Sequence, residues 1–535
     1  MLAVSARNVA AWAGHLGLAP SDLDPEALRH SLTRGTIPGV LATAATRHPS
    51  AVLSIEDQSL SHAELYALAA RHAAVLANRG VSRGSRVVIS AGSSLRLVVS
   101  YLATLHLGAV AVLVNPAYST AELHAVIDRS APALIILDDD PKQTGPDLEQ
   151  SHPDPSDPGR AAGVPVLGMG DLADEALRAD AHPPPDLGSE DLALLAFTSG
   201  TTGSPKAVPL THGQLLASIR SAMWAWRWDR TDTLVHALPL FHQHGLSGVH
   251  ASLLAGSNAT ILSTFDPAEL LTIIVREGAT VLFGIPSIHQ RLVALDPAQL
   301  AALSGLRLIT SGSAPLSAAL AEKFHQKAGV QPLERYGLTE TGLNVSNPYE
   351  GERVAGTVGY PLPGTEVALT SPEGEEVGTE NEGEIVLRGP QVFDGYLEDP
   401  EATAAAFWPG GWFRTGDLGR WDAQGRLVIT GRLKDLIITG GMNVAPQEVE
   451  EVVERFPAVR EAAVAGLPSE RWGEEVAVWV VAEDGVGVPA AEVIAHCRGN
   501  LAAYKCPKQV FYVDSLPRNA MGKISRSELA GLSRR

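Results

Sequence analysis

The chain has 535 residues, of which 45% are apolar and 19% charged, and its formal net charge at pH 7 is −19. That length supports two or more domains with sizeable cores, and the balance is that of a soluble globular chain. So acidic a chain argues against nonspecific nucleic-acid binding or docking on anionic membrane, because both need basic patches; a local cationic pocket for a small anion remains compatible with it. The only two cysteines, Cys497 and Cys506, offer no metal-site spacing and suit buried thiols in a reducing compartment. No apolar run reaches the roughly 18 residues of a spanning helix, and Met1 to Leu18 lacks an apolar signal core. The expectation is a cytoplasmic protein, monomer or homodimer, with no nucleic-acid or membrane partner.

Residues 1–38 read as an appendage of unknown role, with a short capped helix from Pro20-Ser21-Asp22 to Leu32. Ala51 to Ile55 is strand-like, and Ser61 followed by Glu64 is a capping box opening a helix. Val87 to Ser90, Ala109 to Val114 and Ala133 to Leu137 then read as buried strands, alternating with helices such as Ser94 to Leu107. Such alternation predicts doubly wound α/β layers. Asp138 to Pro158 is rich in Asp and Pro and reads as an exposed loop. The alternation resumes at Leu192, gives way to short strands of a small β subdomain between Thr357 and Asp417, and ends in a compact α+β unit from Lys434 onward.

Directly after the apolar run Leu192 to Phe197 comes Thr198-Ser199-Gly200-Thr201-Thr202-Gly203-Ser204-Pro205-Lys206. Glycines let successive N–H groups turn inward as an anion nest, hydroxyls add donors, and Lys206 adds a charge suited to a polyphosphate. The P-loop pattern is absent, and alone the segment equally fits a polar surface turn. Four further segments follow: Tyr336-Gly337-Leu338-Thr339-Glu340-Thr341, Trp412-Phe413-Arg414-Thr415-Gly416-Asp417, Gly431-Arg432-Leu433-Lys434-Asp435 and Pro517-Arg518-Asn519-Ala520-Met521-Gly522-Lys523. Singly they fit strand-end turns, a capping aspartate and a solvated lysine.

Together and in this order they resemble the adenylate-forming superfamily of acyl-CoA synthetases, luciferases and peptide-synthetase adenylation domains. The resemblance spans residues from about 50 to 526 and implies a large N-terminal domain (39–433) that binds ATP and acid, followed by a small mobile domain (434–535). It implies that Thr198 to Gly203 and Lys206 cradle the phosphates, that Ser313-Ala314-Pro315 lie against the adenine, and that Tyr336 is among the residues that bind the nucleotide. Thr339 then meets the α-phosphate, Glu340 holds Mg²⁺, Asp417 and Arg432 take the ribose hydroxyls, and Lys434 is the hinge. Lys523 would bridge the attacking carboxylate and the α-phosphate, and Gly440 and Gly441 would later line a channel for the thiol of CoA. Two departures are visible: Gly440 replaces a lysine common in relatives, and Ala207 replaces the glycine after Lys206.

For the acid, His242 in Pro239-Leu240-Phe241-His242-Gln243-His244-Gly245 matches a histidine between acyl pocket and thiol channel, a position a core histidine would also fit. Arg291, in Phe283 to Arg291, could offer a bidentate fork to a second carboxylate or simply face solvent. Runs such as Glu334-Arg335-Tyr336-Gly337 and Asn344 to Arg353 resemble malonyl-CoA synthetases, implying malonate or methylmalonate as substrate. Other readings are a short-chain or aryl acid–CoA ligase, a carrier-protein loading enzyme, an ATP-dependent diazotase activating nitrite, and an inactive nucleotide-binding protein.

Overall fold

The computed structural model of the chain describes residues 25–139, 163–184, 186–198, 205–378, 381–483, 487, 489–519 and 522–532. Most of the expected loop at 138–158 and the residues Ser199 to Gly203 therefore lie outside the described residues. A first sheet of six strands runs in the order Val166–Gly168, Leu134–Leu137, Arg86–Ser90, Val110–Val114, Leu192–Thr198, Lys206–Thr211. Its first five strands are parallel and the last closes an antiparallel hairpin. All of Val110–Val114 is buried, the continuous apolar pattern of a parallel strand covered on both faces. The helices begin where their caps predict: Ser94 caps Leu95–His106, and Ser61 and Glu64 form the capping box of His62–Asn78.

A second sheet of nine strands has the order Tyr360–Pro361, Gly342–Ser346, Leu333–Leu338, Leu308–Ser311, Val281–Gly284, Thr233–His236, Asn258–Ile261, Val52–Ile55, Gln58–Ser61. Its interior is parallel and both edges are antiparallel. Val52–Ile55 pairs with Asn258–Ile261, so the chain opens in this sheet, leaves to build the first, and returns. Doubly wound sheets place ligands beyond the carboxyl ends of their strands. The chemistry-bearing segments do follow such ends: Pro205-Lys206 after Leu192–Thr198, Phe241-His242 after Thr233–His236, Gly312-Ser313 after Leu308–Ser311, and Thr339-Glu340 after Leu333–Leu338.

Five antiparallel strands make the β subdomain: Glu366–Thr370, Gly383–Arg388, Phe407–Trp408, Trp412–Trp421 and Leu427–Arg432. One turn of 3-10 helix, Leu433–Asp435, leads to the C-terminal unit. There Ile437–Thr439, Met442–Val444, Val459–Ser469, Gly473–Ala482 and Gln509–Tyr512 form a mixed sheet under the helices Pro446–Glu454 and Ala490–Asn500. Both cysteines are buried in this unit's own core. Among the described residues no helix is long and apolar enough to cross a membrane.

The latter half of the expected appendage is part of the large domain. In the helix Pro25–Thr33, Leu32 is fully buried, and Arg220 Nη1 donates to the carbonyls of Leu32 at 2.8 Å and Arg34 at 2.6 Å. A Cβ on Gly364 would meet Leu32 Cδ1 at 2.6 Å, so the helix is closely packed against the loop that enters the β subdomain.

The large core also buries a set of neutral histidines. Burial pushes His62, His212 and His289 down to about 4, and His236 and His250 down to about 3. An unfolded histidine takes its proton near pH 6.5 while these stay neutral, so their contribution is present above about pH 6.5 and lost as pH falls towards 4. Burial raises Glu334 to about 8 and Glu454 to about 7, which acts in the opposite sense, but the histidines outnumber them. Urea midpoints should therefore fall steadily from pH 6.5 to 4.5; a midpoint that is flat or rising on acidification would refute this account of the core.

Candidate active site

Where these strand ends meet the C-terminal unit, a cavity of about 810 Å³ is lined by Thr198, Lys206, His242, His244, Arg335, Thr339, Glu340, Asp417, Arg432, Lys434 and Lys523, among others. A second cavity of about 1220 Å³ adjoins it between the large and small units, and includes Ser313, Ala314, Pro315 and Tyr336. Ser313, Arg335, Asp417, Arg432, Lys434 and Lys523 face both. Residues from all five expected segments, the first and last about 320 positions apart in sequence, thus converge on one cleft.

Asp417 is 2% exposed. Tyr336 donates its hydroxyl to Asp417 Oδ2 at 2.6 Å, and Arg432 Nε lies 2.6 Å from Oδ1. The register explains the pair, because Asp417 and Arg432 are directly opposed on adjacent antiparallel strands. A carboxylate with both oxygens already engaged can still accept from a vicinal diol, since each oxygen has a second lone pair.

Glu340 sits in the turn between the strands Leu333–Leu338 and Gly342–Ser346. Burial raises its pKa, while the Tyr396 hydroxyl, 3.2 Å from Oε1, and the charges of Lys206 and Arg432 pull it back. Among the described residues no group of three or more His, Cys, Asp or Glu could hold a metal by itself. The donor set nevertheless fits Mg²⁺, which takes one or two carboxylates and completes its shell with water and substrate phosphates. Gln243 Nε2 donates to the Thr339 carbonyl at 3.0 Å and fixes the preceding peptide.

His242 caps the helix Gln243–Ala255, its Nδ1 accepting from His244 N at 3.2 Å. Burial, with help from Lys523 and Arg335, pushes it down to about 3, so it is a neutral imidazole. His244 Nδ1 lies 2.9 Å from Ser313 Oγ; its Nε2 is buried without a partner. Lys523 comes from the C-terminal segment and is brought down to about 8, first by burial and then by Arg432.

Arg291 is not at the cavity. Its helix, Pro286–Val293, buries Ile288, His289, Leu292 and Val293, which turns position 291 outwards; the guanidinium is exposed and stacks 4.5 Å from the Phe265 ring centroid. A different arginine occupies the cleft. Arg335 is 8% exposed, its Nε has no partner among the described residues, and burial lowers it to about 9. Among the described residues no carboxylate pairs with it. It lies flat against the main chain, where a Cβ on Gly312 would meet its Cζ at 2.6 Å.

Gly440 and Gly441 form the turn between Ile437–Thr439 and Met442–Val444, at φ of 58° and 78°. They line neither cavity in this arrangement, in which Lys523 is inserted. Ala207 is buried inside the strand Lys206–Thr211 and is not at positive φ, so its methyl adds no backbone strain. Tyr396 escaped the sequence reading, and Gln243 and His244 entered it only as neighbours of His242, because single uncharged residues carry no pattern of their own.

A family model described as AMP-binding enzyme matches residues 41–397, and one described as AMP-binding enzyme C-terminal domain matches 448–523. An oxalate–CoA ligase of Arabidopsis thaliana is 34% identical over 92% of this chain and 98% of its own. A 3-[(3aS,4S,7aS)-7a-methyl-1,5-dioxo-octahydro-1H-inden-4-yl]propanoyl:CoA ligase of Mycobacterium tuberculosis is 37% identical over 93% and 99%. Among solved structures, ATP-bound MatB from Rhodopseudomonas palustris superposes with a TM-score of 0.85 at 38% identity, covering 92% of this chain and 98% of that one. Matched along nearly its whole length, and with the family's polar residues gathered in one cleft, the chain belongs to the AMP-binding, adenylate-forming enzymes and is an AMP-forming acid–CoA ligase that uses ATP, Mg²⁺ and CoA.

Proposed function

We infer that the acid is small and carries a second anionic group, with malonate or methylmalonate first in order. The observation that carries this reading is Arg335, a buried guanidinium in the cavity with no ion-pair partner among the described residues. A buried unpaired charge is costly unless a ligand pairs with it, and a guanidinium fork matches a carboxylate bidentately. The likeness to a ligase named for the dicarboxylate oxalate supports the same class.

In the first half-reaction an acid carboxylate oxygen attacks the α-phosphorus of ATP, the bond to the β-phosphate breaks, and pyrophosphate leaves. Lys523 holds the attacking carboxylate and the α-phosphate together, Thr339 bonds that phosphate, and Asp417 with Arg432 fixes the ribose. Ser313, Ala314, Pro315 and Tyr336 flank the adenine, and Lys206 with Thr198 and the segment Ser199 to Gly203 binds the outer phosphates. Mg²⁺ on Glu340 would neutralise charge on the departing pyrophosphate. Most of the rate enhancement then comes from positioning and charge neutralisation. In the second half-reaction the CoA sulfur attacks the acyl carbon and AMP leaves, after rotation about Lys434 withdraws Lys523 and brings Gly440 and Gly441 to the cleft. Neutral His242 stands between acyl pocket and thiol path.

Pyrophosphate release should depend on a dicarboxylate within a panel of malonate, methylmalonate, oxalate, propionate, a cinnamate and nitrite, and thioester formation should require CoA. Arg335→Met should raise the KM for the dicarboxylate at least tenfold, as expected for a charged hydrogen bond worth roughly 1.5–3 kcal/mol. Its KM for ATP should stay unchanged. Equal losses for propionate and malonate, or turnover driven by nitrite or a cinnamate alone, would overturn the substrate assignment.

Lys523 gives a second test. Its folded pKa of about 8 means that the free enzyme loses this cation as pH rises through 8, so kcat/KM for adenylation should decline on an alkaline limb centred there. Lys523→Ala should abolish adenylation yet leave a supplied acyl-adenylate competent for thioester formation. Equal loss of both steps would remove the lysine from its assigned role.

A further inference from the structure

One loop ties the two ends of the phosphate site together. It runs from the strand Gly383–Arg388 of the β subdomain, and the Phe393 N–H donates to the Glu340 carbonyl at 2.9 Å. Three residues on, the Tyr396 hydroxyl donates to Glu340 Oε1 at 3.2 Å. The next N–H, of Leu397, donates to the Ala207 carbonyl at 3.0 Å, beside Lys206. Lys206 Nζ itself lies 4.6 Å from the centroid of the Tyr396 ring. The loop is braced from behind, where Gln214 Nε2 donates to the Val392 carbonyl at 3.0 Å and to Asp394 Oδ2 at 3.1 Å. Phe393 meets the Tyr396 ring edge-on at 4.9 Å. Gly395 has φ +148°, and a Cβ there would meet Thr403 Cγ2 at 2.5 Å; only glycine lets the chain turn so that Tyr396 N reaches Thr403 Oγ1 at 2.9 Å.

We propose that Tyr396 is a positioning residue that sets the geometry between Lys206 and Glu340, its hydroxyl aiming the carboxylate and its ring face holding the ammonium. Each half has a separate physical basis. A phenol kept protonated by burial and by the neighbouring carboxylate donates to one carboxylate oxygen and limits rotation of the Glu340 head group. The ring face attracts the lysine by a cation–π contact, which keeps Lys206 within the cavity and restrains it from collapsing onto Glu340. Without this separation the two opposite charges would pair directly, and the site would present neither a free cation to phosphate nor a free carboxylate to a metal. The proposal rests on the assignment of Glu340 as the metal carboxylate, and its test keeps the two apart.

The test is nucleotide binding by calorimetry on the full chain, with ATP alone and with MgATP, in the absence of acid and CoA. Tyr396→Phe keeps the ring and should leave metal-free ATP affinity within twofold, while cutting the gain from Mg²⁺ about tenfold, the scale of one hydrogen bond to a charged group. Tyr396→Leu should lose that gain and also weaken metal-free ATP about fivefold, because the lysine loses its support. A melting temperature unchanged in Tyr396→Phe separates positioning from general structure. Glu340→Gln is the reference: if it leaves the Mg²⁺ gain intact, the metal assignment falls and the proposal with it. If Glu340→Gln removes the gain while Tyr396→Phe keeps it in full, Tyr396 alone is overturned.

Discussion

The cleft depends on one buried carboxylate. Asp417 joins three parts of the molecule, since Tyr336 reaches it from the nine-stranded sheet, Arg432 from the next strand of the β subdomain, and Arg432 is followed at once by the turn Leu433–Asp435. Taking such an ion pair out of water costs several kcal/mol before its attraction repays any of it. The pair is therefore weak evidence for stability. What it secures is relative placement: removing Arg432 would leave the buried Asp417 carboxylate without its counter-charge, so the β subdomain is held in one register against the sheet that carries Thr339 and Glu340. Within that sheet, close backbone approach at Gly337, where a Cβ would meet the Gly342 carbonyl oxygen at 2.2 Å, tightens the hairpin whose turn carries Thr339 and Glu340.

Much of this was legible in the sequence, for identifiable reasons. Strand positions were set by apolar runs buried on both faces, and Val110–Val114 lies within the expected Ala109 to Val114. Ser61, Glu64 and Ser94 announced helix starts, because short side-chain oxygens satisfy N–H groups that the helix leaves unpaired. The family resemblance rested on short segments whose residues do meet in space. Two things were not legible. Val52–Ile55 looked like the first strand of a simple alternation, but its partner lies some 200 residues away, and nothing local specifies such a pairing. Arg291 and Arg335 are equally basic on paper. Only the burial of Ile288 and Leu292 turns the first outwards, and only the bare backbone at Gly312 makes room for the second.

The same contrast explains how an acidic chain can take anionic substrates. The formal charge of −19 is a property of the whole surface, whereas the cleft brings Lys206, Arg335, Arg432, Lys434 and Lys523 around Glu340 and Asp417. Low-dielectric walls focus that local field, so the sign of the pocket decides binding while the outer charge maintains solubility. The neutral histidines fit this division. His242 and His244 are held far below their ordinary titration range by burial and by the same cations, so they line the cavity without adding to the positive charge.

That local excess also bears on how the small domain is retained. Burial first, and then Arg432 and Lys434, disfavour the charged form of Lys523, while Asp417 and Glu340 only partly offset them. In the absence of substrate, Lys523 therefore sits in a position it does not favour electrostatically. ATP reverses the balance by bringing several negative charges to the point where the cations meet, and the inserted lysine gains along with Arg335, Arg432 and Lys434, which face both cavities as it does. Under the proposed reaction, most of that negative charge departs with pyrophosphate, and the phosphate of the remaining mixed anhydride carries a single charge. The attraction that holds Lys523 weakens at the moment its task is complete. On the role proposed for Lys523, release of the C-terminal unit would need no separate trigger, because the chemistry that the lysine promotes removes the charge that keeps it there.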